Sequence, residues 1–146
     1  MNRVWHTFES PKCSARFCIV EGSEGGYLLT EARGTLPSEL GAQMIVEGEK
    51  FIRRGSPIGA YHLWYDALPD SGFREEWMSC LRKWGSEHFL DSHFFTTNMA
   101  MSMAIRAVAL IRRGRFFVHR TRDALVEASV ERLERDYYAG GEEGLS

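Results

Sequence analysis

Ile58 to Asp66, IGAYHLWYD, is the stretch that decides the fold. It is mostly apolar and aromatic and lacks the strict apolar–polar alternation of a half-buried strand. It therefore reads as a central strand covered on both faces. Upstream, Arg53-Arg54-Gly55 has the chemistry of a helix end: cations favour the negative end of the helix, and glycine accepts the left-handed cap. Downstream, Asp70-Ser71-Gly72 is a turn and a candidate cap for the next helix. A buried strand with a helix on either side implies crossover connections, and crossovers place strands parallel in one sheet.

Working towards the N-terminus, Pro37 and Ser38 open the helix that ends near Arg54, with Leu40, Met44, Phe51 and Ile52 on its apolar stripe. Before it, Arg16 to Glu21 and Tyr27 to Arg33 read as two strands of a hairpin joined by the cluster Gly22 to Gly26. Residues 1–15 are weakly patterned and form an N-terminal extension or an edge strand around Val4 to Phe8. Working towards the C-terminus, Phe73, Trp77, Cys80, Leu81, Trp84 and His88 fall on one helical face, with Glu75 and Glu76 in the first turn. Leu90 to Thr97 is the next strand. Asn98 then caps a helix through Arg113, with Met101, Ala104, Ile105, Val108 and Ile111 inward and Gly114 at its end. Arg115 to Arg120 closes the series of strands, and Thr121 caps a last helix through about Tyr138.

The pattern predicts an α/β fold with a mixed, mainly parallel sheet of four or five strands and about four helices, in one domain over residues 16–138. Residues 139–146 form a polar, Gly-rich tail. The expected core includes Ile19, Leu29, Phe51, Leu63, Phe73, Trp77, Leu81, Phe95, Ile105, Val108, Phe117, Leu125 and Val130.

Composition narrows the function. The 146 residues carry a net charge of −2, so nothing draws the chain to a phosphate backbone, and nucleic acid is not expected as a partner. No apolar run reaches the length of a membrane span, and the N-terminal stretch has no continuous apolar segment of the signal-peptide type. Three scattered cysteines, Cys13, Cys18 and Cys80, do not form a disulfide framework and suit a cytoplasmic setting.

No constellation defines an enzyme. His6, His62, His88, His93 and His119 are dispersed: His88 and His93 are five apart rather than four, and His62 and His119 lie inside strands. No metal and no tight cofactor are therefore expected. Neither a nucleophile elbow nor a phosphate loop is present, and Cys80 sits mid-helix on an apolar face, a poor place for a thiolate. Asp66, Asp70 and Asp91 lie near strand ends, but spacing does not pair them. The run Met99-Ala100-Met101-Ser102-Met103 opens its helix with few polar positions. Methionines there fill an irregular core or form an adaptable binding surface.

The order of elements resembles the STAS domain, the SpoIIAA-like family of anti-sigma-factor antagonists. The closest local match is Gly114 to Leu125, GRFFVHRTRDAL, which looks like the family's closing strand, polar turn and final helix start, and Asn98 to Gly114 is similar to its penultimate helix. The resemblance covers about residues 16–135. It implies a bacterial regulatory module that binds a protein partner, with a phosphoacceptor hydroxyl just before a glycine at the start of the helix after the third strand. Ser71 of Asp70-Ser71-Gly72 holds that place, with one hydroxyl residue fewer than the family pattern. Asp70, Ser71, Gly72 and Arg74 are then the expected partner-binding and regulatory residues, in a non-enzymatic signalling protein. The alternative is a small-ligand or lipid-binding domain of the same fold, using Trp64, with Tyr61 and Tyr65 beside it, and Met99, Met101 and Met103. An enzyme built on Asp66, Asp70 and Ser71 ranks last, because no roles can be assigned. A homodimer is left open.

Overall fold

The computed structural model describes residues 4–21, 24–111 and 115–128. Six strands form one sheet in sequence order: β1 (His6–Ser10), β2 (Cys13–Glu21), β3 (Gly26–Leu36), β4 (Ile58–Pro69), β5 (Phe89–Thr96) and β6 (Phe116–His119). The pairs β1–β2 and β2–β3 are antiparallel, and β3–β4, β4–β5 and β5–β6 are parallel. Four α-helices alternate with the parallel strands: α1 (Ser38–Arg53), α2 (Ser71–Lys83), α3 (Met99–Ile111) and α4 (Arg122–Ala128). This is the mixed, mainly parallel α/β sheet expected, with six strands in place of four or five, because the N-terminal segment pairs as an edge along β2.

The IGAYHLWYD stretch lies between β3 and β5, and every residue from Ile58 to Trp64 is buried. Side chains alternate across it. Ala60 and Trp64 join the cluster beneath α1, α2 and α3, which also holds Leu28, Met44, Phe73, Phe94 and Ile105. Tyr61 and Leu63 join the opposite cluster, with Leu29, Phe95 and α4's Leu125 and Val126.

The helix signals act as their chemistry suggests. The Asp70 carboxylate accepts from the Phe73 N–H at 2.8 Å, Asn98 from Met101 at 2.9 Å, and the Thr121 hydroxyl from Ala124 at 3.0 Å. Gly55 takes the left-handed conformation, φ +84°, after α1. Helix α2 starts two residues earlier than the apolar stripe implies, so Glu75 and Glu76 fall in its second turn. It also ends earlier: Trp84 is its C-cap, and His88 belongs to a separate 3₁₀ turn, Ser86–His88.

Of the expected core, Leu29, Leu63, Phe73, Phe95, Ile105 and Leu125 are buried, and Ile19, Phe51, Trp77 and Leu81 are half-buried. Phe117 is exposed (39%), because β6 is a four-residue edge strand and the face Phe117 points to is only partly covered there. Ala104, expected inward on α3, is also exposed. The side chains of Val108 and Ile111, all of Val130, Gly114, and the last helix beyond Ala128 lie outside the described residues.

Candidate functional site

Helix α2 packs on α1, and α3 leans towards β6, leaving a groove between α2 and α3 over β4 and β5. Two contacts fix the α1–α2 pair. A Cβ at Gly72 would come within 2.8 Å of the Ser38 side chain, and one at Gly41 within 3.1 Å of the Phe73 ring. The groove holds about 800 Å³, within the range of small-molecule sites. Its floor is Leu28, Ala60, Trp64 and Phe94. Trp77, Cys80 and Leu81 of α2 form one wall, and Met101, Ala104 and Ile105 of α3 the other.

The polar groups in this apolar setting are few. His62 lies on the floor, 2% exposed, between Thr30 on β3 and Phe94 on β5. Its Nδ1 is 3.1 Å from the Thr30 hydroxyl, and its ring stacks on Phe94 at 4.7 Å. Burial, with a smaller contribution from nearby His93, pushes its pKa down to about 3, so the imidazole is neutral at physiological pH. Trp64 and Trp77 flank it, with ring centroids 4.9 and 6.0 Å away. The indole N–H groups of both tryptophans are buried and have no hydrogen-bond partner. Cys80 is no thiolate: burial and then Glu49 push its thiol up to about 11.

Charges gather at the rim. Glu49 is occupied by Lys83 at 3.0 Å and the Trp84 N–H at 2.7 Å. Arg115 donates to the carbonyls of Ser86 and Phe89. Arg74 is exposed beside the groove.

The residues singled out from sequence separate. Trp64 and Met101 line the groove, whereas Met99 (77% exposed) and Met103 (65%) point to the outer side of α3 and do not. Tyr61 and Tyr65 fall on the opposite sheet face from Trp64, as strand alternation requires. Asp70 is engaged as a cap, Ser71 is exposed in the first turn of α2, and Gly72 closes against Ser38 rather than standing free for a partner. Asp66 does not join Asp70 and Ser71 in a cluster. Its N–H donates to the Thr97 hydroxyl at 2.7 Å, and its carboxylate accepts from Asn98 at 3.3 Å. Among the described residues, no three His, Cys, Asp or Glu side chains converge as metal ligands. Trp77 and His62 were legible only as a core position and a structural histidine. An alternating central strand that carries a histidine and a tryptophan two apart does place both on one face, and that was the available signal.

The opposite face holds two further polar groupings. Glu31, fully buried, pairs with Arg16 at 3.0 Å; burial raises its carboxyl pKa while Arg16, Arg122 and Arg33 act to lower it. His93 Nδ1 and His119 Nε2 are 2.9 Å apart with the rings stacked. Burial pushes His93 down to about 4, helped by His119, and lowers His119 as well.

The sheet order and helix placement define a SpoIIAA-like α/β fold. A solved structure described as an uncharacterized protein of the DUF3478 family with a SpoIIAA-like fold, from Shewanella loihica PV-4, is similar to this chain. It has a TM-score of 0.57 and 17% identity, over 83% of this chain and 98% of that one. At that identity the likeness extends to the fold. No protein-family model matches the sequence, and no curated protein does. Among the described residues, no helix is long and apolar enough to cross a membrane.

Proposed function

We propose that this protein is a non-enzymatic binding module that takes a small, largely apolar ligand into the groove between α2 and α3. The observation that carries this reading is the groove itself: about 800 Å³ of space between two helices, floored by buried aromatic and aliphatic side chains of the central strands. The helix walls above that floor, Trp77, Leu81, Met101 and Ala104, are half-buried or exposed and present apolar surface that a ligand would cover. The scarcity of convergent titratable groups favours binding over catalysis.

The test is displacement of a fluorescent long-chain reporter from the wild-type protein and from Ala104→Trp. Ala104 is exposed on α3 and lines the groove, so an indole there obstructs it without entering the core. The reporter should bind wild type and bind the variant at least about tenfold more weakly. Equal binding by both proteins places the ligand elsewhere.

A second reading is favoured by one observation: Ser71 is exposed in the first turn of α2, at the N-terminal end of that helix. A phosphate there would add about −1.5 to −2 charges where the helix dipole favours them. It would make this end of the molecule a switchable protein-docking surface, with Asp70 as the cap and Arg74 one turn on. Ser71→Asp and Ser71→Ala, compared in a pull-down of bound proteins, should differ in what they retain. Identical profiles count against this reading.

A further inference from the structure

The charges at the rim of the groove say what kind of head its ligand carries. Among the described residues three charged side chains line it, Glu49, Arg74 and Arg115. Two are engaged within the chain. Glu49 accepts from Lys83 and from the Trp84 indole, and Arg115 donates to the Ser86 and Phe89 carbonyls. Arg74 has no side-chain hydrogen bond, ion pair or ring contact among the described residues. The acids nearest to it in sequence are turned elsewhere. The Asp70 carboxylate caps Phe73, Glu75 accepts from Arg82 at 2.8 Å, and Glu76 lies against Gly41 of α1.

Nor does the helix account for a cation there. Arg74 is in the first turn of α2, at the positive end of the helix dipole, where acids are favoured and bases are not. It is exposed, so a ligand can reach its guanidinium. Leu68 and Met78, also exposed, line the same mouth of the groove. Behind them the floor and walls are apolar, and the one ionisable ring on the floor, His62, is neutral. A charged head is costly to bury in such surroundings and stays at the mouth.

We infer that the groove takes a single-chain fatty carboxylate, with its head held at the mouth by Arg74 and its alkyl chain laid between α2 and α3. The inference rests on the groove's being the ligand site. The planar guanidinium fork matches a carboxylate with two parallel hydrogen bonds, and the half-buried apolar walls cover the chain.

The experiment titrates decanoate and 1-decanol, which share a chain length and differ in the charge of the head, into the ¹⁵N-labelled full chain. Wild type is compared with Arg74→Gln and Arg74→Glu, which replace an exposed side chain that holds no partner. Decanoate should shift the Arg74 Nε–H resonance. It should bind Arg74→Gln about fivefold more weakly than wild type, the size expected of a charge pair open to solvent, and Arg74→Glu more weakly still. 1-Decanol should bind all three proteins alike. Decanoate binding that ignores both substitutions overturns the assignment of Arg74 while leaving the groove a ligand site. So does an equal loss for 1-decanol, which makes Arg74 part of the wall and not the seat of the head. If neither probe binds wild type, the ligand-site reading falls with it.

Discussion

The two faces of the sheet bury polar groups in opposite ways. Away from the groove, buried polar groups among the described residues have found partners within the chain: Glu31 with Arg16, His93 with His119, and the Tyr65 hydroxyl with Arg122 at 3.1 Å. On the groove face the Thr30–His62 contact is made, but the Trp64 and Trp77 donors are left without acceptors. One face has its buried polar groups paired, and the other keeps two donors unpaired. Energetically, a paired buried group is sensitive to the loss of its partner. An unpaired one already carries its desolvation cost and has less to lose.

The largest effect should come from Arg16→Ala, which takes from the buried Glu31 carboxylate its hydrogen-bonded guanidinium partner and should cost about 3 kcal/mol in urea unfolding. Replacing the pair together, Arg16→Met with Glu31→Leu, should recover most of that loss. Next comes core truncation. Leu29→Ala, at a fully buried site on the complete face, should cost about 3 kcal/mol. Met101→Ala, at a half-buried position in the groove wall, should cost less than about 1 kcal/mol. Equal losses would mean that the groove is packed like the core.

Acid should weaken the fold through its histidines. His62 falls from its ordinary 6.5 to about 3, so the unfolded chain takes up a proton that the folded chain refuses. Its contribution is whole above pH 6.5 and is lost as pH falls towards 3; His93 acts in the same sense down to about 4. Glu31 works the other way, since its folded pKa is raised and its contribution fades as pH rises through that value. Urea midpoints between pH 7 and 4 should therefore fall less in His62→Gln than in wild type. The smallest effect is expected at the orphan donors. Trp77→Phe should leave stability within about 1 kcal/mol of wild type, since it deletes an unsatisfied N–H along with some contact. Tyr65→Phe, which strips a partner from Arg122, should cost about 1 kcal/mol. A clear loss in Trp77→Phe with none in Tyr65→Phe would reverse the contrast between the faces.

The complete face and the frame around both faces were largely readable from sequence. A continuous apolar strand announces a central position by itself, and caps such as Asp70, Asn98 and Thr121 depend on neighbours three residues away. The edges were harder to read. β1 is held through cross-strand pairing with β2, which its own pattern barely records, and Phe117 is apolar yet exposed because its strand is short and peripheral. The groove was the least legible feature. It exists because α2 and α3 lean on different neighbours, and no periodicity within either helix encodes the space between them. The methionine run illustrates this: one of its three methionines lines the groove, and the difference lies in where α3 settles.

Asp66 sits at a bulge. Its φ is +44°, and the register with β3 slips there, so that Arg33 faces Tyr65 and Gly34 faces Ala67. Before the bulge, the even-numbered residues of β4, Ala60 and Trp64 among them, look towards the helices; after it, Ala67 does. Asp66 therefore acts as a frameshift in the strand's two-letter code. The groove side is written in one parity up to Tyr65 and in the other from Ala67 to Pro69. Deleting this single exposed residue would shorten no loop. It would remove the bulge and leave Ala67 on the groove side, next after Tyr65 in an unbroken alternation; ironing the strand flat with Asp66 kept is what would send Ala67 to the far side and present α2 to the sheet from the wrong side of the pleat.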